Sequence, residues 1–508
     1  MRPSRWLIAA TVLALSPSAL ATETAPAQSL AGSSDSYRPM LTFEAGGTLF
    51  VPSLYLTSRI EGVSTFAVDA DGAEFDAESP INLLARVGLL FTSYESLAPM
   101  YLGAEVEADL ITGQVSGGTQ LQGEGLPTSE GQDDFVLRKA NVTISYKGLL
   151  SLKAGFSTSH WGMGLVANDG AHGWRPGSAY FSDPRDGDRV LRGQLIYKTL
   201  GEDFFMVAGG FDRVEEDDVL RPGDEAFQGV GAMILKRGDT QVGAYFAGRQ
   251  QDSEDGAELT AFVLDFHLQL EREIAKGIKL TLESEWALVF GSTTLGPSTD
   301  FPEHDILQLG GVIRAGIDAG TFGGLLDIVY ASGDQNLDDD KQNGFKSDPN
   351  FDQGLLLFPY IVASQSGRGT FTASDLDLVG QPADDLDRFP TRGSVANTVA
   401  FFPRFWIRPA VGLELYAGVL AAIAEVAPTD PLNTRLAGGE VRNALNGKSG
   451  SYLGTEFDLG LRYRMLFYGS ELTLGIEGAA LIFGDALASE RGNPDPVLGG
   501  RAMLSYRL

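Results

Sequence analysis

The sequence predicts an all-β fold, a transmembrane antiparallel β-barrel of about eighteen strands, within a range of about 16–20. Three observations predict it. The last eleven residues, 498–508, alternate between two faces without a break, and the chain stops on an apolar residue inside that strand. The first residues have the pattern of a secretion signal. Short turns and long polar loops alternate between the strands, as they do in outer-membrane barrels.

The N-terminus divides into a signal and a tail. Arg2 and Arg5 form a basic start, residues 6–15 form an apolar core too short to span a bilayer, and residues 19–21 read Ala-Leu-Ala. We therefore expect a signal peptide over residues 1–21, a flexible periplasmic tail over residues 22–38 and an outer-membrane β-barrel over residues 39–508. This order predicts the outer membrane of a Gram-negative cell envelope as the location, after the signal peptide is removed.

The composition limits the kinds of site that are available. The chain has no cysteine, which excludes disulfides, thiolate zinc sites and lipoprotein anchoring. After the signal, no run approaches the roughly 18 apolar residues of a membrane helix. The formal net charge of −29 makes nucleic acid a poor partner. A large soluble β protein also fits the composition, but it explains the terminal strand, the signal and the loop asymmetry less well.

Period-two alternation predicts the individual strands. The eighteen predicted strands are 40–51, 81–93, 100–112, 133–146, 149–157, 189–198, 202–212, 226–236, 240–250, 258–271, 277–290, 304–317, 321–332, 396–408, 411–424, 452–465, 470–483 and 497–508. The long loops are predicted at 52–80, 113–132, 158–188, 213–225, 291–303, 333–395, 425–451 and 484–496, with a shorter one at 251–257. Residues 354–364 offer one further strand as an alternative.

Polar side chains on one face of these strands predict a wet lumen of mixed charge. In strand 258–271 the alternation places Leu264 on the lipid face and Gln269 on the lumen face. The alternative is that the charges only pair across strands and hydrate the wall. The predicted inward groups are the acids Glu105, Glu107, Asp109, Asp265, Glu283, Glu285, Asp327, Glu456, Asp458, Glu471 and Glu477, the bases Arg86, Lys139, Lys153, Arg192, Lys198, Arg249, Lys279, Arg314, Arg404, Arg408, Arg462, Arg464, Arg501 and Arg507, and His267.

The loop over residues 158–188 is unusually rich in aromatic and charged side chains. Folded into the barrel, it would narrow the lumen. The residues expected at such a constriction are His160, Trp161, Trp174, Arg175, Asp183, Arg185 and Asp186. The alternative is an external loop packed on itself, because long loops are often either functional or self-packed.

Oxygen ligands alternate in the run Asp334, Asn336, Asp338 and Asp340, as they do in calcium loops. The run lacks the glycine and the glutamate of an EF-hand, so we keep both a surface-loop calcium site and a plain acidic loop as interpretations. We expect no other cofactor. Ser157 and His160 offer serine–histidine chemistry, but no third member is identifiable, so we expect no enzyme.

Two parts of the chain resemble a known group of proteins. The runs KAGFSTSHWGMGLVANDG (153–170) and DPRDGDR (183–189), followed by YASGDQN (330–336) and DPNFDQG (348–354), resemble uncharacterised myxobacterial-type outer-membrane β-barrel proteins. More distantly, the chain is similar to the alginate-export family of eighteen-stranded porins, which carry a Tyr-Ala-Ser-Gly-Asp run where a strand enters a long loop. The resemblance implies a barrel channel and no established substrate.

These observations together predict a porin-like outer-membrane channel for passive passage of small solutes or ions. The alternatives are a structural or adhesive surface barrel and an exporter of an acidic polysaccharide. The expected partners are outer-membrane lipid, small solutes, and the barrel-assembly machinery acting through the C-terminal strand.

Overall fold

The computed structural model describes residues 42–45, 47–75, 79–93, 99–116, 135–170, 177, 187–296, 301–335, 339–374, 376–379, 388–467 and 469–508. Within these ranges, eighteen long strands form one antiparallel sheet that closes on itself. They are β1 (Thr48–Val63), β2 (Ile81–Ser93), β3 (Met100–Ser116), β4 (Val136–Tyr146), β5 (Leu150–Thr158), β6 (Arg189–Lys198), β7 (Phe204–Glu216), β8 (Glu225–Arg237), β9 (Thr240–Asp252), β10 (Glu258–Ala275), β11 (Ile278–Thr293), β12 (His304–Asp318), β13 (Phe322–Ala331), β14 (Thr398–Ala410), β15 (Leu413–Ile423), β16 (Tyr452–Phe467), β17 (Ser470–Phe483) and β18 (Val497–Arg507). The predicted barrel is confirmed.

The barrel closes between its first and last strands. β18 pairs with β17 on one side and with β1 on the other, where Tyr55 lies opposite Arg507 and Val63 lies opposite Gly499. The remaining barrel strands pair with their neighbours in the chain. Closure leaves the eighteen strands without a free edge, so their backbone polar groups are satisfied within the sheet.

The connections differ at the two ends of the barrel, as predicted. One end, called here the short-turn end, carries tight turns such as 238–239 and 411–412. The other, the long-loop end, carries nine connections, among them L1 (64–80), L3 (159–188) and L7 (332–397).

Five short helical segments and four short strands accompany the barrel strands in the described part of the chain. A π-helical turn at Leu357–Val362 runs into α1 (Ala363–Ala373), followed by α2 (Leu376–Val379) and α3 (Pro431–Leu436), and Asp485–Leu487 forms a 3-10 turn. The short strands are Phe43–Ala45, Phe66–Ala67, Glu74–Phe75 and Lys341–Gln342. No helix in the described ranges is long and apolar enough to cross a membrane.

Side-chain burial in β10 and β11 confirms the predicted alternation. Phe266 is 60% exposed on the outer face, whereas its neighbours Asp265 and His267 are buried on the inner face. In β11, Glu283 and Glu285 are buried while Trp286 lies outside. An apolar outer surface and a charged interior are the reverse of a soluble β-sandwich, in which the apolar face is the inside.

The predicted first strand, 40–51, is wrong in its position. β1 runs over Thr48–Val63, and Phe43–Ala45 folds back on its first residues. The predicted strand ended at residue 51 because the next residue, Pro52, has no N–H group to donate to a β-ladder. The partner β18 ends where Leu508 bonds to Leu54, so Pro52 lies beyond the part of that edge that β18 pairs with.

Candidate pore and its inward loops

Most of the predicted inward charges lie on the inner face of the barrel in ion pairs between neighbouring strands. On β2 and β3, Arg86 donates to both oxygens of Asp109 at 2.5 and 2.7 Å. On β3 and β4, Lys139 Nζ lies 3.2 Å from Glu105 and 3.4 Å from Glu107. These pairs agree with the interpretation that part of the charge hydrates and stabilises the wall.

A second group of charges joins β11 to β14. Asp327 accepts from Arg314 at 2.8 and 2.9 Å and from Arg404 at 2.5 Å. Glu283 lies 3.7 Å from Arg314. One buried carboxylate therefore holds two guanidinium groups.

Other predicted bases have partners near the two mouths. At the long-loop side, Arg192 donates to both oxygens of Asp212 at 2.7 Å, and Arg249 pairs with Asp217. Arg408 lies 2.9 Å from Asp318. The inner face also carries the predicted residues Lys153, His267, Asp458, Arg462 and Arg464, with Arg464 3.8 Å from Glu471.

Sequence reasoning missed several inward groups. Arg138 is 2% exposed although its neighbour Lys139 also points inward. The register of β3 and β4 shifts there, with Lys139 opposite Glu107 and Leu137 opposite Ala108, so Arg138 is the extra residue of a β-bulge. Strict period-two alternation would instead place Arg138 on the outer face of the barrel. Glu61 was missed because the predicted first strand ended before it.

Loop L3 enters the barrel and contacts its inner face. The Trp161 ring stacks on Tyr245 of β9 at 5.3 Å, and its Nε1 donates to Asp265 at 3.0 Å. His160 Nε2 lies 3.2 Å from the carbonyl oxygen of Gly162. The predicted residues Trp174, Arg175, Asp183, Arg185 and Asp186 lie outside the described residues.

L3 also reaches a second part of the wall at Gly177. The Gly177 N–H donates to Glu414 on β15 at 3.1 Å. A Cβ at Gly177 would lie 3.2 Å from Arg404 and 3.4 Å from Trp406, so the loop backbone rests against β14. L3 therefore contacts the wall at β9–β11 and at β14–β15.

Loop L7 contains a feature that the sequence analysis did not predict. Residues 333–395 were predicted to be a long polar loop, with 354–364 as an alternative strand, and both interpretations are wrong for the segment around Leu357–Val362. Leu356, Leu357, Phe358 and Ile361 are completely buried in a cluster with wall residues of β14–β17. The segment is helical because, inside a closed sheet, it has no edge to pair with and must satisfy its own backbone groups.

L3 and L7 contact each other inside the barrel. The Asp348 N–H of L7 donates to the Leu165 carbonyl of L3 at 2.8 Å. Met163 and Leu165 belong to the same buried cluster as Leu356 and Phe358. The two loops therefore form one inward layer.

Two cavities lie beside this layer. One, of about 580 Å³ including space open to solvent, lies between L7 and β14–β18; its polar lining includes Arg404, Arg501, Asp352, Asp458 and Glu477. The other, of about 500 Å³ on the same measure, lies between L3 and β5–β9; its lining includes Lys153, Arg192, His160, Trp161 and Tyr245. The first cavity combines cationic with anionic side chains, and the second combines cationic with aromatic side chains.

The predicted calcium run is only partly described. Asp334 and Asp340 are described, whereas Asn336 and Asp338 lie outside the described residues. Asp334 accepts the N–H of Asn343 at 2.9 Å. Among the described residues no group of three or more His, Asp or Glu side chains is arranged to hold a metal ion. Calcium binding stays a prediction.

The closed eighteen-stranded barrel with tight turns at one end and inward loops from the other is the fold of outer-membrane porins. Among solved structures, OccAB1 of Acinetobacter baumannii has a TM-score of 0.52 and 12% identity, covering 90% of this chain and 96% of that one. OpdK of Pseudomonas aeruginosa, solved with vanillate, has a TM-score of 0.50 and 13% identity, covering 90% of this chain and 98% of that one. These similarities show the fold.

No protein-family model matches the chain. No curated protein matches it either. The myxobacterial and alginate-export resemblances therefore have no support from a family match.

Proposed function

We propose that this chain is an outer-membrane channel through which small hydrophilic solutes or ions diffuse passively. The observation that carries the proposal is the inward layer of L3 and L7 inside a closed, charged barrel. Eighteen strands enclose a wide lumen, and the two loops reduce it to passages lined by charged side chains. The filter would act by size and charge, without covalent chemistry.

The predicted pore-lining residues support a filter of mixed sign. Arg404 and Arg501 share the larger cavity with Asp352, Asp458 and Glu477, so a solute would meet both charges within one passage. Opposed charges in a pore set ion selectivity through a transverse field. On this basis we expect neutral polar or zwitterionic solutes to be tolerated better than strongly charged polymers.

The direct test is conductance of the purified chain in planar bilayers, with a salt gradient to measure ion selectivity. We expect stable single-channel steps and a reversal potential that shifts when Arg404 is changed to Gln. The absence of conductance from a correctly folded barrel would favour the structural or adhesive alternative.

Export of an acidic polysaccharide has weaker support. Such a conduit needs a continuous strip of cationic groups, and most inner bases described above already contact acids. A polymer-induced block of the channel by an acidic oligosaccharide, absent for a neutral one of equal length, would restore this candidate.

The location and processing belong to the same proposal. Residues 1–21 would be removed on export, residues 22–38 would remain as a tail in the periplasm, and the C-terminal strand would be the segment that the barrel-assembly machinery binds. Mass spectrometry of the chain purified from outer membranes tests the cleavage: a mature N-terminus at Thr22 is expected.

A further inference from the structure

L3 and L7 are attached to the barrel wall in the same way. In L3, the N–H groups of Met163 and Leu165 donate to Glu285 of β11. In L7, the N–H groups of Leu355, Leu356 and Leu357 donate to Glu456 of β16. Both glutamates are completely buried on the inner face.

A glycine stands directly before the first amide in each loop. Gly162 precedes Met163 with φ of 55°, and Gly354 precedes Leu355 with φ of 73°. A Cβ at Gly162 would lie 2.5 Å from Glu285 Oε2, and a Cβ at Gly354 would lie 3.0 Å from Glu456 Oε1. Each loop therefore needs glycine both for its backbone conformation and for the close approach to the carboxylate.

The two glutamates differ from the other inner carboxylates in their partners. Asp109 and Asp327 are compensated by arginine. In the described part of the chain, neither Glu285 nor Glu456 has a Lys, Arg or His within ion-pair distance. Since a buried carboxyl group needs hydrogen-bond partners, the loop amides provide the donors that no neighbouring cation supplies.

A second wall carboxyl lies beside each glutamate. Asp265 accepts from Trp161 of L3 at 3.0 Å and is the diagonal neighbour of Glu285 on the inner face of β10 and β11. Asp458 lies two residues after Glu456 on the same face of β16. The repeated arrangement of glycine, amides and paired carboxyls occurs once for each inward loop.

We propose that Glu285 and Glu456 are positioning residues of the channel: Glu285 fixes L3, Glu456 fixes L7, and together they set the width of the passage. This inference rests on the proposed channel function for its consequence, although the attachment itself can be tested separately. Glu285→Gln and Glu456→Gln keep the shape of the side chain but replace one acceptor oxygen with an NH2 group, which faces the loop N–H groups and cannot accept from them.

Because the chain has no cysteine, a single introduced cysteine is the only thiol that can be labelled, and its labelling rate reports the exposure of the loop that carries it. Ala167→Cys places the thiol in L3 and Ser364→Cys places it in α1 of L7, at positions that are 9% and 1% exposed. In the native background both thiols should be protected from a membrane-impermeant maleimide. Glu285→Gln should raise the labelling rate at position 167 by roughly tenfold or more and leave position 364 protected, because a buried N–H group left without its acceptor costs free energy of that order. Glu456→Gln should raise the labelling rate at position 364 by a similar factor and leave position 167 protected.

Glu283→Gln is the matched control for Glu285→Gln. It removes the same charge from the same face of β11, but Glu283 contacts Arg314 rather than the loop. It should leave position 167 protected. Gly162→Ala and Gly354→Ala test the attachment from the loop side and should reproduce the two labelling patterns, which keeps the test valid if a glutamate variant does not fold.

Single-channel recordings give the second readout. Both glutamine variants should show larger conductance and more open-channel noise than the native chain. If the native chain does not conduct, the channel function fails while the labelling pattern still tests the attachment. Protection of both thiols in both glutamine variants, or exposure of both thiols in either one, would overturn the proposal.

Discussion

At the scale of single residues, the inner carboxylates have two different structural roles. Asp327 neutralises arginines within the wall, whereas Glu285 and Glu456 bind loop backbone. A charge that faces the lumen in the sequence pattern is therefore not automatically in contact with a passing solute. Burial and partners decide which role each residue has.

The ion cluster around Asp327 should be important for stability. Asp327→Ala leaves the guanidinium groups of Arg314 and Arg404 buried without the carboxylate that joins them. Removing one partner of a buried ion pair costs about 3–5 kcal/mol. We expect a loss of that order in the free energy of unfolding, measured by urea titration in detergent with tryptophan fluorescence. Asp255→Ala, in an exposed loop, should change it by less than about 0.5 kcal/mol.

The two faces of β10 should respond differently to the same added charge. Leu264→Arg puts a cation on the lipid face near the middle of the strand and should destabilise the folded barrel by about 2–4 kcal/mol. Gln269→Arg enters the wet interior opposite Glu283 and should be mild. The measurement is unfolding in lipid vesicles, and equal losses from the two variants would contradict the assigned facing.

At the scale of elements, the period-two alternation of apolar and polar side chains predicted a strand correctly wherever that strand is regular. β10, β11 and β17 begin and end within a few residues of their predicted bounds, because side chains with period two mark the lipid and lumen faces directly. The alternation fails at the bulge beside Arg138, where the register of the ladder shifts, and the predicted first strand ended before Pro52 although the ladder between β1 and β2 continues through it.

The helical part of L7 inside the barrel could not be predicted from side-chain alternation. The apolar residues 355–362 look like a strand in isolation, and their helical state depends on a space that exists only once eighteen strands have closed. L3 was easier, because its aromatic and charged composition already distinguished it from a solvated loop. Tertiary context, rather than local propensity, decides the L7 segment.

The contact between L3 and L7 should weaken as the pH rises. Burial, with the Asp218 and Asp217 carboxylates nearby, raises the pKa of Asp348 well above its usual range, against the opposing hydrogen bond from the Asn350 N–H. The pKa of Asp188 is raised in the same way, first by burial and then by Asp348.

An acid with a raised folded-state pKa contributes stability at low pH that is lost as the pH rises from its unfolded value of about 4 to its folded value. Asp348→Asn removes this titration while its side-chain oxygen can still accept from Asn350. We expect Asp348→Asn to unfold at higher urea than the native chain at pH 8 and at a similar urea concentration at pH 4. A stabilisation of the same size at both pH values would contradict the assignment.

At the scale of the whole molecule, the barrel has a direction. Tight turns occupy one end, while the loops that enter the lumen come from the other. In an outer-membrane barrel the short turns face the periplasm and the longer loops face the exterior. In that orientation L3 and L7 enter the barrel from the exterior side, and L3 reaches as far as Glu414, beside the short turn 411–412.

Labelling the two ends of one strand tests this direction. β10 runs from Glu258, next to the exposed Asp255, to Ala275, next to the exposed Lys276. In intact cells that produce Asp255→Cys, a membrane-impermeant maleimide should label the protein, because that residue lies at the long-loop end. Lys276→Cys should be labelled only after the outer membrane is permeabilised. Because the native chain has no cysteine, it provides the background signal. Labelling of Lys276→Cys alone in intact cells would invert the orientation, and labelling of both would mean that β10 does not cross a sealed membrane.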